Sequence, residues 1–430
     1  MSSIVQTPHR RQAVPDPIHG VVVGIDVSKG RIDWRACCLG QWGSPHRVTQ
    51  GEAGFLRLEQ HLLAAAEGGQ EVWVALESTG PYGQCLQEWL LDRGWRVVMV
   101  NPYHVKRSRE LHDGNPRKDD VKDPGVIADL VWRGSYQRVR RLYGPYAELR
   151  VGFGEWCSLA KTRTALRNQA QALLELWFPE LVRLFANPLG KCVQAVIGRY
   201  DSPSALLLAG RRRLQATLKQ ETHGRGVRYA EGIWKAAQGS VAVRQGQESR
   251  VRALRDLLGQ LAYVEAQQVR LRAELERWLA QTEEGAYLRS VPGLGLLTAA
   301  GVLGECGPLA EFHSVRALEK FVGMNLYRIS SGQREGQVHL AKRGRQAVRA
   351  LLVQLAVGQM RAGRLGGAWV QRRKAQGHPS RKTQIALARK LLALCYALAK
   401  NRVCFEATRW FAEAETADGG APLQGTPTKT

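Results

Sequence analysis

Val21-Val22-Val23-Gly24-Ile25-Asp26 is a β-branched run that ends on a carboxylate. Branched side chains favour extended backbone, and a short apolar run reads as a strand. Val72-Trp73-Val74-Ala75-Leu76-Glu77 repeats the pattern and also ends on an acid. Between them come a Ser28-Lys29-Gly30 turn, a strand over 32–38 and a third short strand near Arg47-Val48-Thr49. A helical stretch over 54–66 follows, with Phe55, Leu58, Leu62 and Ala65 on one side. Beyond Glu77 the pattern predicts a helix over 82–93 and a strand, Arg96-Val97-Val98-Met99-Val100, stopped by Asn101-Pro102. A helical run over 123–133 closes this part. Two or three early strands and then strand–helix–strand predict a mixed α/β sheet.

After about residue 150 the chain becomes helical, so the fold class is α/β plus all-α. Over 155–285 the residues Val251, Leu254, Leu258, Leu261, Val264, Gln268, Leu271, Leu275 and Trp278 recur at three- and four-residue steps and make a coiled-coil-like stripe. It suits either a helix packed within its own subunit or an oligomer seam. Val291-Pro292-Gly293-Leu294-Gly295 then opens a further helix. The expected division is a flexible arm over 1–19, an α/β domain over 20–150 and a helical, coiled-coil region over 151–285. A C-terminal domain over 286–412 and a disordered tail over 413–430 complete it.

The chain has 430 residues, is 44% hydrophobic and carries a formal charge of +24. That charge argues for nucleic acid or an anionic membrane as partner. No apolar stretch reaches the roughly 18 residues of a membrane span, and the polar start lacks the apolar core of a signal peptide, so a cytoplasmic protein is expected. Eight scattered cysteines without a CxxC pair argue against zinc and against a disulfide framework.

In such a basic chain the acids stand out. Asp26 and Glu77 close two strands, and Asp120 and Asp123 form an Asp-x-x-Asp pair further on. Clustered carboxylates repel one another unless a cation neutralises them. Mg²⁺ takes hard oxygen ligands and keeps several waters, so a few acids suffice to hold it. A strand-end acid standing alone is commonly only a turn residue; four in this order point to metal-dependent chemistry on a polyanion. Pro124 bears on the geometry. The residue before proline avoids the α region, so Asp123 reads as an N-cap with Pro124 at the first helical position.

A second constellation is Tyr327-Arg328-Ile329-Ser330-Ser331-Gly332. From Gly336 to Phe405 there is no Asp or Glu, yet fifteen Lys or Arg. Solvated helix faces usually mix signs, so this stretch reads as phosphate-contacting. Its candidate contacts are Lys342, Arg343, Arg345, Arg349, Arg372, Arg373, Lys374, Arg381 and Lys382. The glycine hairpin at 292–295 resembles a helix-hairpin-helix element, which would present backbone N–H groups to a phosphate; a tight interhelical turn explains it equally well.

Taken in order, these motifs resemble the DEDD transposases of the IS one-ten insertion-sequence family. One block runs from Gly24-Ile25-Asp26 through Glu77-Ser78-Thr79-Gly80 and Asn101-Pro102 to Lys118-Asp119-Asp120-Val121-Lys122-Asp123. The other runs from Val291-Pro292-Gly293-Leu294-Gly295 through Phe321-Val322-Gly323 and Ser331-Gly332 to Lys342-Arg343-Gly344. The resemblance implies a RuvC-like, ribonuclease-H-type fold for the first block. It implies Asp26, Glu77, Asp120 and Asp123 as a Mg²⁺-binding tetrad and a serine nucleophile at Ser331, with Ser330 as the alternative register. It further implies donor and target double-stranded DNA, a noncoding bridge RNA as guide, and a homotetramer at the nucleoid. Met324-Asn325-Leu326 departs from the family, which often has a proline there. Two other readings stay open: a metal-dependent junction nuclease that uses water as nucleophile, and a non-catalytic nucleic-acid scaffold.

Overall fold

The computed structural model describes residues 20–38, 40–67, 69–77, 80–113, 121–328, 338–361 and 363–407. The chain forms two compact units, Met1–Arg141 and Leu142–Thr430.

The first unit is built on strands β1 (Val21–Val27), β2 (Arg31–Cys38), β3 (Gln41–Trp42) and β4 (His46–Thr49), helix α1 (Glu52–Ala66) and strand β5 (Val72–Glu77). It continues with α2 (Gln84–Asp92), β6 (Arg96–Val100), α3 (Pro102–Asp113), α4 (Asp123–Trp132) and β7 (Gln137–Arg138). The sheet order is β3-β2-β1-β5-β6-β7, with β4 also paired to β2. The β1–β2 hairpin is antiparallel, whereas β1–β5 and β5–β6 are parallel. Parallel neighbours need a crossover, which α1 and α2 supply. This is the mixed sheet that the two valine-rich runs predict. The period of two sorts the side chains. Val21, Val23, Ile25, Val72, Val74 and Leu76 join the core beneath α1 and α2. Val22, Trp73 and Ala75 join the core beneath α4, with Val126, Ile127, Leu130 and Val131.

Three details differ from expectation. Asn101-Pro102 ends β6 but also starts α3. The Asn101 side chain accepts the Tyr103 N–H at 2.9 Å, and Pro102 occupies the first helical position, where no N–H is needed. Asp123 is itself the first residue of α4 and Lys122 is the cap, with no side-chain cap bond. A tertiary partner for Asp123, described below, outweighs the local preference against helix before proline. The edge strands β3 and β7, two residues each, carry no periodicity to read.

The second unit is nearly all helical: α5 (Pro145–Trp177), α6 (Pro179–Leu184), α7 (Lys191–Arg199), α8 (Pro203–Ala209), α9 (Arg211–Glu221), α10 (Ala230–Gln238) and α11 (Gln247–Ala280). Then follow α12 (Glu283–Arg289), α13 (Leu296–Cys306), α14 (Val315–Val322), a hairpin of β8 (Leu326–Arg328) and β9 (Val338–Leu340), α15 (Gln346–Gln359), α16 (Gly367–Ala375) and α17 (Ser380–Asn401). The two long helices run antiparallel through two cores. Leu166, Leu174, Leu254 and Leu261 lie in one core, and Leu149, Leu271 and Leu275 in the other. The α11 stripe is therefore largely consumed inside its own chain. The expected boundary at 150 falls within α5, because the helix that Gly144-Pro145 starts belongs wholly to this unit. The arm at 1–19 and the tail at 413–430 lie outside the described residues. Among the described residues no helix is long and apolar enough to cross a membrane.

Candidate active site

Asp26 and Glu77 come together through strand register. Ile25 pairs with Leu76 in the parallel β1–β5 ladder, so the next residue on each strand is an acid. Both acids share the face that carries Val22 and Trp73, the face beneath α4. Gly24 brings that helix close. A Cβ on Gly24 would stand 1.9 Å from the Pro124 carbonyl oxygen and 2.8 Å from the Ala128 nitrogen. Only a residue without a side chain lets α4 cross β1 at this height. The crossing places Asp123, one residue before Pro124, over the strand ends.

Arg109 of α3 meets Asp123 in a bidentate pair. Its Nε donates to Oδ1 at 2.7 Å and its Nη2 to Oδ2 at 2.8 Å. The Asp123 side chain is 1% exposed and that of Arg109 13%. Breaking such a buried pair from one side costs about 3–5 kcal/mol, because the other charge is left uncompensated. The guanidinium pKa is raised above its ordinary value by the hydrogen bonds to Asp123, then by the charges of Asp123, Glu77 and Asp26, against desolvation that lowers it. Arg109 thus lies in the field of three of the four predicted acids. Asp120 lies outside the described residues.

A fifth carboxylate belongs to the same face. Asp33 sits directly across β2 from Asp26, and like charges directly opposite destabilise a sheet. Asp33 is nearly buried and is held by Arg47 at 2.5 Å and Arg31 at 3.6 Å. Arg31 and Arg47, with Lys29 and Arg57, also line an open groove of about 760 Å³ beside the β1–β2 turn. Among the described residues no three His, Cys, Asp or Glu side chains are grouped closely enough to hold an ion. The donor chemistry still fits a divalent cation. Asp26, Glu77 and Asp123 offer only hard oxygens, and a guanidinium already stands among them as a cation.

Ser331 and Ser330 lie outside the described residues, but their flanks are defined. Residues 329–337 connect β8 to β9, which pair Leu326 with Leu340, Tyr327 with His339 and Arg328 with Val338. The base of this hairpin is clamped by two glycine motifs. Gly323 ends α14 at φ 79°, a left-handed conformation that suits glycine, and the Met324 N–H returns to the Glu319 carbonyl at 2.7 Å. A Cβ on Gly323 would stand 2.6 Å from the Arg343 carbonyl oxygen, and one on Gly344 2.4 Å from that of Phe321. The motifs Phe321-Val322-Gly323 and Lys342-Arg343-Gly344 therefore pack backbone to backbone. They bring both ends of the serine segment to one place.

Two transposase family models match the chain. One, a DEDD transposase model, covers residues 23–179; the other, described as the IS116/IS110/IS902 transposase family, covers residues 285–371. Together they span more than half of the chain. The chain belongs to the IS110 family of transposases. The transposase is 27% identical over 319 residues to the insertion element IS110 uncharacterized 43.6 kDa protein of Streptomyces coelicolor, covering 73% of this chain and 78% of that one. It is 25% identical over 393 residues to the insertion element IS116 uncharacterized 44.8 kDa protein of Streptomyces clavuligerus, covering 89% and 95%. A solved structure of T. thermophilus RuvC with a Holliday junction substrate aligns with 28% of this chain and 100% of its own, at 16% identity and a TM-score of 0.22.

The basic residues of the transposase divide in the fold. Lys342, Arg343, Arg372, Lys374, Arg381 and Lys382 are exposed. Arg349 is drawn inward and donates to the Val322 carbonyl at 2.8 Å, where burial lowers its pKa. Arg345 lies over the Phe321 ring and 3.5 Å from Glu305, and Arg373 lies over Trp369. Arg389 makes a bidentate pair with Glu319. The acid-free stretch thus draws its acids from earlier helices. In the 292–295 hairpin, the Gln359 amide donates to the Pro292 carbonyl at 2.8 Å and fills the space beside Gly293. The hairpin is therefore, at least in part, a packed interhelical turn.

Sequence reasoning missed Arg109 and Asp33. The Asn-Pro helix start could have revealed the helix carrying Arg109. The Ser-Lys-Gly hairpin could have placed Asp33 opposite Asp26.

Proposed function

We propose that the transposase cuts and exchanges DNA strands with Ser331 as nucleophile and with Mg²⁺ held by Asp26, Glu77, Asp120 and Asp123. The observation that carries this reading is the position of Asp26 and Glu77 just past the Ile25–Leu76 pair, at adjacent parallel strand ends on the face beneath α4. The Ser331 Oγ attacks a scissile phosphate. A phosphorus–Oγ bond forms, the bond to one deoxyribose oxygen breaks, and that oxygen leaves as a hydroxyl with the proton the serine gives up. Attack by a hydroxyl of the new partner strand reverses these steps and releases the serine. The phosphodiester energy is kept in the protein–DNA link, so no nucleotide cofactor is needed. When bound, the divalent ion would stabilise charge developing on the phosphate and help ionise the hydroxyl. Asp26, Glu77, Asp120 and Asp123 would hold it, and the exposed cations of the second unit would hold the DNA backbone.

The resemblance extends the proposal to a noncoding bridge RNA as guide, donor and target double-stranded DNA as substrates, and a homotetramer working at the nucleoid. RNA recovered with the purified protein and its mass in solution test the first and last.

Ser331→Ala and Ser330→Ala, assayed on supercoiled substrate and on denaturing gels, test the nucleophile. Ser331→Ala should lose both cleavage and the protein–DNA adduct, and Ser330→Ala should keep them. Cleavage retained by Ser331→Ala without adduct would favour a nuclease that uses water. Unchanged strand exchange in Asp26→Asn would favour a scaffold.

A further inference from the structure

We infer that Arg109 is a positioning residue that holds Asp123 and competes with the divalent cation for it. This rests on the metal reading above. Both Asp123 oxygens accept from the same guanidinium, at 2.7 and 2.8 Å. The pair is almost closed to solvent, so water does little to screen it. A divalent ion on the same carboxylate would lie a few ångströms from the guanidinium, where like charges repel strongly. Asp123 therefore has one cationic partner at a time.

The arrangement has a physical purpose. Three carboxylates that share a field disfavour one another when no ion is present. Arg109 offsets that repulsion and holds Asp123 in one orientation. Its side chain is long and flexible and sits near the end of α3, so it can withdraw without unfolding the helix. In exchange, the site binds metal more weakly than the same carboxylates would without the arginine. Folding without metal and a loosened hold on metal are two consequences of one contact.

The test is Mn²⁺ binding to the full-length protein, with the free ion followed by electron paramagnetic resonance. Arg109→Gln should bind Mn²⁺ about tenfold more tightly than wild type. It should also melt at lower temperature in chelator, with most of that loss restored by Mn²⁺. Affinity unchanged or weakened in Arg109→Gln would overturn the inference. Should Arg109→Gln fail to fold, Arg109→Lys keeps the charge but loses the bidentate fork, and a smaller tightening is expected; none would overturn the inference equally. Asp26→Asn separates the two levels. If it binds Mn²⁺ like wild type, the metal reading itself fails. If it binds weakly while the Arg109 variants do not tighten, only the role of Arg109 fails.

Discussion

The first unit concentrates acids that backbone pairing brings together, whereas the second spreads cations over helices and leaves packing to decide which remain at the surface. Asp26, Asp33 and Glu77 share one face through strand register alone. Arg345, Arg349, Arg373 and Arg389 are instead claimed one by one by a ring, a carbonyl or a glutamate. Charge arranged by register is concentrated and costly, and it needs counter-ions such as Arg109, Arg31 and Arg47. Charge placed on helices is diffuse, and part of it serves the fold. The two regions should therefore respond differently to substitution.

The largest effect is expected at Asp26. Asp26→Asn should lower strand exchange by about a thousandfold while leaving DNA affinity near wild type, measured by recombination and by filter binding. Charge reversal of exposed cations should do the opposite, so a shared phenotype would break the comparison. Next comes Gly24→Val. Its side chain cannot fit beneath Pro124, and the first unit should lose about 1–3 kcal/mol together with activity, read by denaturant unfolding. Unchanged stability would mean that α4 does not rest on β1.

Within the second unit, Lys342→Glu or Lys374→Glu should weaken DNA binding and reduce the salt dependence by about 0.9 per lost phosphate contact, without altering the melting temperature. Arg349→Ala should instead cost about 1–3 kcal/mol of stability through the unpaired Val322 carbonyl. If the two kinds of variant behaved alike, the division between structural and exposed cations would fail. The smallest effect concerns pH. His46 stacks on Trp34 and lies 4.3 Å from His61. Burial first, then His61, lowers its pKa below the ordinary 6.5. The folded state thus prefers the neutral ring. This contribution is complete above about pH 6.5 and is lost as the pH falls below it. His46→Phe should flatten the acid side of the stability profile, measured by thermal melts from pH 5 to 8.

Legibility followed range along the chain. Asp26 and Glu77 could be read because each closes a continuous apolar run, and strands with that pattern pair side by side. Asp33 was less visible, since its position depends on hairpin register. Arg109 was hidden because Asn101-Pro102 reads first as the end of a strand, although the same pair caps a helix. The acid-free stretch over 336–405 is legible as basic, but Glu305 and Glu319, which answer two of its arginines, precede it in the chain. A linear window cannot register a partner that arrives from another helix.

By itself, the sequence determined the α/β and helical halves, the strand-end acids and the strong positive charge, because apolar period and composition act over neighbouring residues. Only the tertiary structure decided that Arg109 holds Asp123, that Gly24 sets the height of α4, and that the α11 stripe is spent largely on α5 and the cores it spans. The reason is distance: these outcomes depend on which surfaces meet after the chain has folded, and a buried charge or a missing side chain takes its meaning from the group packed against it.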